Sequence, residues 1–419
     1  MPTIYDQSSH TIDRSLLDKD ALHVIHRLRE AGYSAYLVGG GVRDLLLGKS
    51  PKDYDISTSA RPEQVKRVFG RKCLLIGRRF RLAHIRFGHH ILEVSTFRAG
   101  EMTDELIVHD NEWGNEEEDV RRRDFTINGL LYDPESHSII DYVGGWEDIQ
   151  NKMLRSIGEP EVRFKQDPVR MIRLLKFQAR YGFSIHDKDQ AALVSCLPEI
   201  KKSSPARLLE EWLRMLESKA SAPFVELMLN HRFLELLFPK IAAELQGPFG
   251  PTIKRFLEAC DHENKSASSY PLERPVLVAA LLYPILEDCV RREYKAQNRM
   301  PHQGDILEIT YTLMRDIMVS SFSHFPKRIQ AIAAYILTTQ FRFVPLITKK
   351  QHPVRMFRIR EFPLALRLLK LRAMVYPQLK ETYLAWREHY KSYLDHAEQR
   401  HTPHATPARR HKTREPMHG

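Results

Sequence analysis

An α+β N-terminal portion built on a mixed sheet with helices, followed by an all-α remainder, is the architecture that this sequence predicts. Three observations carry that expectation. Short apolar or alternating runs, punctuated by glycine and proline, fill about the first 155 residues. From "DPVRMIRLLKFQARYGF" onward the apolar spacing turns helical and strand-like runs almost vanish. At 419 residues the chain also exceeds what one growing core supports, so it divides into subdomains.

In chain order, "DALHVIHRLREAGY" has helical spacing and ends at a glycine, and "AYLV" is a short strand running into Gly39, Gly40 and Gly41. "VRDLLLG" reads as a helical turn closed by Gly48, and "DYDIS" as a strand with period-two alternation. "RPEQVKRVFG" opens with proline, as a short helix should. "CLLIG", "LAHIRFG" and "HILEVSTF" follow as strands, the last two joined by a tight turn at Gly88. Residues 99–121 are acidic and aperiodic and read as a mobile loop, and "RRRDFTINGLLYD" reads as the start of a helix. Apolar stripes over 270–395 predict a helical body. The segment from Ala397, rich in Pro, His and Arg, predicts a disordered basic tail.

The formal charge of +11 and pI near 9.4 point to a polyanionic partner, either nucleic acid or an acidic membrane surface. A generic basic surface is the competing explanation. Cys73, Cys196, Cys260 and Cys289 lie far apart without a C-x-x-C pair, which argues for core thiols rather than a disulfide framework or structural zinc. No apolar run follows a basic segment at the start, and no window approaches the roughly 18 to 20 apolar residues of a membrane span. A soluble, cytoplasmic protein without membrane association is expected.

Asp53 and Asp55 stand two apart on the expected strand, so both side chains would share a face. Carboxylates roughly 5 Å apart repel by about 3 kcal/mol at an effective dielectric near 20, and a shared hard cation such as Mg²⁺ relieves that. A lone D-x-D is more often a solvated loop. Here the glycine triplet precedes it by a dozen residues, with backbone N–H groups and Arg43 able to approach phosphates. Glu93, on a strand between apolar neighbours, is either a third carboxylate of that site, a general base, or an exposed sheet-face side chain. Arg122, Arg123, Asp124 and Asn128 cluster in "RRRDFTINGL", where Asp124 has the alternative of capping a helix and the upstream "EEED" can pair the arginines internally. Asp167, Arg170 and Arg173 fall at i, i+3 and i+6, close to one helical face, suited to reading a base edge or to surface ion pairing.

Together "LVGGGVRDLLLG", "PKDYDIST", "RRDFTINGL", "DYVGG" and "DPVRMIRLLKF" resemble the tRNA nucleotidyltransferase/poly(A) polymerase family of the DNA polymerase β superfamily, in the family's order across about residues 30–185. The stretch "GRRFRLAH" is similar to the poly(A) polymerase side of that family. One departure is Gln166, where the family usually carries an acidic residue. The resemblance implies that 1–155 is a nucleotidyltransferase head, 156–215 a neck that recognises the base, 216–396 an RNA-binding body and 397–419 the tail. It implies two Mg²⁺ ions, with Mn²⁺ as a substitute, on Asp53 and Asp55. Gly39, Gly40 and Arg43 would hold the triphosphate, Arg123 and Asn128 would contact the nucleotide, and Asp167, Arg170 and Arg173 would select the base. Glu93 and Asp124 both remain candidates for the third carboxylate, with Glu93 favoured by strand geometry. The implied activity is template-independent addition of AMP from ATP to RNA 3′ ends, by a monomer with RNA-decay proteins as candidate partners. CCA addition to tRNA and non-catalytic RNA binding are the alternatives.

Overall fold

The computed structural model describes residues 1–77, 82–99, 112–266, 270–297, 301–319, 322, 325–344 and 353–401. These gather into two compact units, Met1–Gln246 with Ile317–His324, and Gly247–Asp316 with Phe325–Gly419.

The first unit opens with β1 (Thr3–Tyr5) and helix α1 (Lys19–Glu30). Asp18 caps α1 by accepting the Ala21 N–H at 2.8 Å, while Ala21, Val24, Ile25 and Leu28 recur at the helical period and are buried. Next come β2 (Ala35–Val38), α2 (Gly40–Leu46), β3 (Asp55–Thr58), α3 (Pro62–Phe69), β4 (Cys73–Ile76), β5 (Leu82–Phe87) and β6 (His90–Thr96). A turn at Gly88, in the left-handed region with φ of 61°, joins β5 to β6 as expected. The remaining sheet strands are β7 (Leu130–Asp133) and β8 (Ser138–Asp141), with α4 (Glu116–Arg121) before them. All eight pair in the order β1-β8-β7-β2-β3-β6-β5-β4, and β3 alone meets its neighbour β6 in parallel. The β2–β3 register sets Val38 opposite Asp55, so the glycine loop after β2 lies beside the first residue of β3.

Helices then dominate: α5 (Gly145–Gln150), α6 (Pro160–Gln166), α7 (Val169–Tyr181), α8 (Asp187–Ser195), α9 (Pro205–Leu216), α10 (Ser221–Asn230), α11 (Phe233–Leu237) and α12 (Pro239–Gln246), with only the two-residue strands β9 (Met153–Leu154) and β10 (Ser184–Ile185) between them. The second unit is helical throughout its described residues, including Gly250–Lys265, Arg274–Gln297, Lys327–Phe343, Phe362–Val375 and Lys380–His401. There Phe343, Phe357 and Phe362 pack against Trp386, Tyr390 and Tyr393 of the last helix. Cys73, Cys196 and Cys260 are buried free thiols, in keeping with the expected core role. Among the described residues no helix is long and apolar enough to cross a membrane.

Several local expectations need correction. Residues 100–111 lie outside the described ones, but the rest of the acidic stretch is not an aperiodic loop. Asn115 accepts the Glu118 N–H at 3.0 Å and Glu118 accepts the Asn115 N–H at 2.8 Å, a reciprocal cap that starts α4. Four acidic residues then occupy its first turn, where the helix dipole favours them. "RRRDFTINGLLYD" leads not into a helix but through a 3-10 turn, Thr126–Asn128, into β7, because Leu130, Leu131 and Tyr132 are buried in the middle of the sheet. The expected tail starts late: the last helix takes in residues 397–401, and 402–419 lie outside the described residues.

Candidate active site

An open cleft of about 410 Å³ lies over the β2–β3 junction. Gly39, Gly40, Arg43, Asp55, Arg123, Asp124, Asn128, Asp167, Arg170 and Arg173 line it, so segments far apart in sequence converge there. Asp53 and Glu93 stand outside this lining. Asp53 precedes β3 rather than sharing it with Asp55, since strand pairing begins at Asp55 opposite Val38. Asp167 likewise stands at the C-terminal cap of α6, and only Arg170 and Arg173 belong to α7.

The glycine loop is shaped by close approaches. Gly39 has φ of 68° and ψ of −133°, a conformation that an L side chain rarely adopts, and a Cβ there would stand 3.2 Å from Arg123 Nη1. At Gly41 a Cβ would meet the Asp53 carbonyl oxygen at 3.3 Å. Gly39→Ala is therefore expected to lose about 1–3 kcal/mol of stability to backbone strain, and to displace Arg123 from the cleft. A thermal melt together with an ATP titration checks both effects.

Negative charge concentrates at the end of β3. Asp55 keeps accessible surface, yet it stands among protein atoms at the cleft base, and its pKa is pushed up to about 6. Burial is the main cause, followed by Glu93 and then Asp53, with Arg123 opposing them. In β6, Leu92 and Val94 point into the core while Glu93 and Ser95 share the other face, as alternation predicts. Ser95 Oγ lies 2.9 Å from Ser57 Oγ, which places that face of β6 beside the Asp55 face of β3. Glu93 also lies 3.7 Å from His84 Nε2. A cluster of hard oxygen donors whose mutual repulsion raises a pKa suits a divalent cation. The side chains are not drawn tightly together, however. Among the described residues the one group of three ligating side chains within 4.8 Å of one another is Asp18, Asp20 and His90, where the start of β6 meets the start of α1.

Asp124 is not a helix cap, and it lines the same cleft as Asp55. It is buried, 2.7 Å from Arg173 Nη2, and its Oδ1 accepts from Asn128 Nδ2 at 2.9 Å and the Phe125 N–H at 2.8 Å. Burial alone would raise its pKa, but Arg173, Asn128, Arg170 and the Phe125 N–H together outweigh it and hold the carboxyl below its usual range. Arg123 donates from Nη2 to Asp119 Oδ2 at 2.7 Å and Ser57 Oγ at 3.1 Å. Arg43, buried, bonds Asn128 Oδ1 and donates to Asp44 from Nε and Nη2, so only part of its donor set faces the cleft.

Behind the cleft, Arg163 Nη2 donates to the carbonyls of Arg122 at 2.9 Å and Arg123 at 2.8 Å, and Arg170 Nη2 to that of Arg122 at 3.0 Å. These carbonyls end α4, where cations are favoured. Burial is the main cause that pushes the Arg163 pKa down to about 10, with Arg170 adding to it. Gln166 accepts from Arg163 Nη1 at 3.1 Å, so the residue standing in place of an acidic one supports this brace. Asp167 Oδ1, Arg123 Nε and Arg173 Nε are buried without a hydrogen-bond partner among the described residues. One acceptor and two donors are thus left around a cleft able to take a ligand carrying both.

Sequence reasoning passed over Phe177, Ser57 and Asp44, while Asp119 belongs to the "EEED" run that was expected to pair the arginines and does pair with Arg123. Phe177 follows Arg173 by four residues on the same face of α7, and Ser57 follows Asp55 by two on β3, so periodicity was available to find both. Asp44 bonds Tyr181 from 137 residues away, and that contact left no local signal.

A mixed sheet that sets carboxylates beside a glycine loop, with arginines from a following helix closing the cleft, defines a nucleotidyltransferase. Residues 35–155 match the family described as "Poly A polymerase head domain", and residues 182–245 one described as "Probable RNA and SrmB- binding site of polymerase A". Poly(A) polymerase I of Escherichia coli is 35% identical over 394 residues, covering 89% of this chain and 82% of its own. The CCA-adding enzyme of Lactobacillus helveticus is 39% identical over 197 residues, 46% of this chain and 49% of its own. Among solved structures, the Bacillus stearothermophilus CCA-adding enzyme in complex with CTP is similar with a TM-score of 0.53 and 26% identity, over 89% of this chain and 82% of its own. The chain belongs to the bacterial poly(A) polymerase I family.

Proposed function

We propose that the chain is a template-independent polynucleotide adenylyltransferase, adding AMP from ATP to RNA 3′ ends with release of pyrophosphate and so promoting RNA turnover. The observation that carries this reading is the reach of the similarity. In sequence it spans 89% of the chain against the Escherichia coli poly(A) polymerase I at 35% identity, but 46% against the Lactobacillus helveticus CCA-adding enzyme, whereas the fold is shared with CCA-adding enzymes.

Asp53 and Asp55, with Glu93 as the third carboxylate, would hold divalent cations, two Mg²⁺ ions or Mn²⁺ in their place. Such ions supply Lewis-acid stabilisation of the attacking and leaving oxygens in an in-line displacement. Around them the chain's own residues bind and orient. Gly39, Gly40 and the free donors of Arg43 face the triphosphate, while Arg123 and Asn128 contact the nucleotide. Asp167 Oδ1 is the acceptor for an exocyclic amine of the base, with Arg170 and Arg173 beside it as donors. Asp124 holds Arg173 in place rather than binding metal. Positioning and charge neutralisation supply most of the rate, as in phosphoryl transfer generally. In this reading residues 1–155 form the catalytic head and 156–215 the base-recognising neck. The body over 216–396 and the basic tail hold RNA through its backbone.

The decisive assay supplies single nucleotides to a generic RNA oligonucleotide. Long products from ATP alone are expected from the wild type, and none from Asp53→Ala at undiminished RNA affinity. Products confined to tRNA ends with a requirement for CTP would replace this reading with CCA addition.

A further inference from the structure

We infer that Tyr181 and Asp44 form a latch that fixes the base-facing arginines of α7 relative to the glycine loop, and thereby sets how tightly the nucleotide base is held. The inference rests on the nucleotide site proposed above. Asp44 is buried and follows Arg43 in α2. Its Oδ1 accepts from Arg43 Nε at 3.1 Å, Arg43 Nη2 at 3.0 Å and the Tyr181 hydroxyl at 2.8 Å, and its Oδ2 accepts from Arg180 Nη2 at 3.2 Å. The Arg43 guanidinium also lies 4.8 Å from the Tyr181 ring centroid and 5.1 Å from that of Phe177. One carboxylate on the glycine-loop helix therefore gathers the C-terminal turn of α7 around the arginine that faces the cleft.

Helix geometry turns this contact into a positional constraint. At 3.6 residues per turn, positions 170, 173, 177 and 181 fall within roughly 80° of one another, so one face of α7 runs from the base-facing arginines to the latch. The distance along the axis from residue 170 to residue 181 is about 16 Å at 1.5 Å per residue. Fixing the far end of so short a rigid helix fixes the rotation and axial register of Arg170 and Arg173. A displacement near 1 Å at a reacting site costs up to about a hundredfold in rate. Arg180 is partly exposed and adds little, whereas Asp44 and Arg43 are buried and the Tyr181 hydroxyl reaches them from a half-buried position, so those contacts dominate. Burial pushes the Tyr181 hydroxyl far up, so it stays a donor at working pH. Tyr181 is a positioning residue, since it acts through its bond to Asp44 on the placement of α7 and does not line the cleft.

Tyr181→Phe removes the hydroxyl and keeps the ring over Arg43. Equilibrium titration with ATP and with inorganic tripolyphosphate separates base contacts from phosphate contacts. Affinity for ATP is expected to fall about tenfold, the effect of one half-buried hydrogen bond to a carboxylate, with tripolyphosphate affinity within about twofold of wild type. Asp44→Asn should move ATP affinity in the same direction. Unchanged ATP affinity in both variants overturns the latch, as does an equal loss for ATP and tripolyphosphate accompanied by a fall in melting temperature. A wild type that fails to incorporate AMP would instead overturn the proposed activity, while the comparison of the two ligands would still decide the latch.

Discussion

Asp55→Asn is expected to lower AMP incorporation on the order of a thousandfold or more, while making the metal-free protein more stable at neutral pH. Both effects follow from one property of the site. Burial, Glu93 and Asp53 raise the Asp55 pKa to about 6, so its ionised form is disfavoured in the fold. A raised carboxyl pKa contributes stability that is present below the unfolded value near 3.9 and is lost as pH rises through the folded value. At pH 7.5 the ionised carboxylate is thus a destabilising presence that asparagine relieves. The melting-temperature advantage of the variant should shrink as pH falls from about 7 to 4, where Asp55 is protonated in the folded state and about half protonated in the unfolded one. In the wild type, protons and divalent cations compete for the same oxygens. Apparent metal affinity should therefore fall by up to about tenfold per pH unit below about 6. A variant with full activity, or a metal affinity indifferent to pH between 5 and 7, would remove Asp55 from the cation site.

Asp124→Ala should produce the largest loss of stability, about 2–3 kcal/mol in the first unit, because it strands the buried Asn128 amide and Phe125 N–H and takes the counter-ion from the partly exposed Arg173. Arg173, Asn128 Nδ2 and the Phe125 N–H would all lose their acceptor. The sign with pH is opposite to that of Asp55. A depressed carboxyl pKa gives stability present above the unfolded value and lost as pH falls through the folded one. The difference between wild type and variant should hence be full at neutral pH and disappear in acid. Differential scanning calorimetry between pH 3 and 7 measures it. A variant melting with the wild type at pH 7 would mean that the ion pair is dispensable to the fold.

Much of the cleft was legible because short-range periodicity encodes it. Arg170 and Arg173 fall on one turn of helix, Glu93 alternates out of the core, and the glycines open a helix that the structure contains, with Gly39 at its N-cap and Gly40 and Gly41 in its first turn. Where expectation failed, a stronger local rule had been overlooked or a distant one could not be seen. Asn115 and Glu118 carry a capping box inside a stretch that acidity alone made look like loop. Leu130, Leu131 and Tyr132 lack alternation because the strand is covered on both faces, so the period of two vanishes where the sheet is central. The role of Asp124 depends on a counter-ion on another helix, and that of Asp44 on a tyrosine 137 residues away. No single sequence reveals such pairings.

The brace behind the cleft bears on where this polypeptide becomes self-sufficient as it leaves the ribosome. Residues 35–155 match a head family, yet the counter-ion of Asp124 and the guanidinium groups that hold the Arg122 and Arg123 carbonyls lie at positions 163, 170 and 173. A nascent chain ending at 155 would contain every strand of the eight-stranded sheet and still carry a buried carboxylate without its cation. The smallest fragment able to mature alone therefore extends through Tyr181, and at about 5–20 residues per second the sheet waits a few seconds for the helix that completes it.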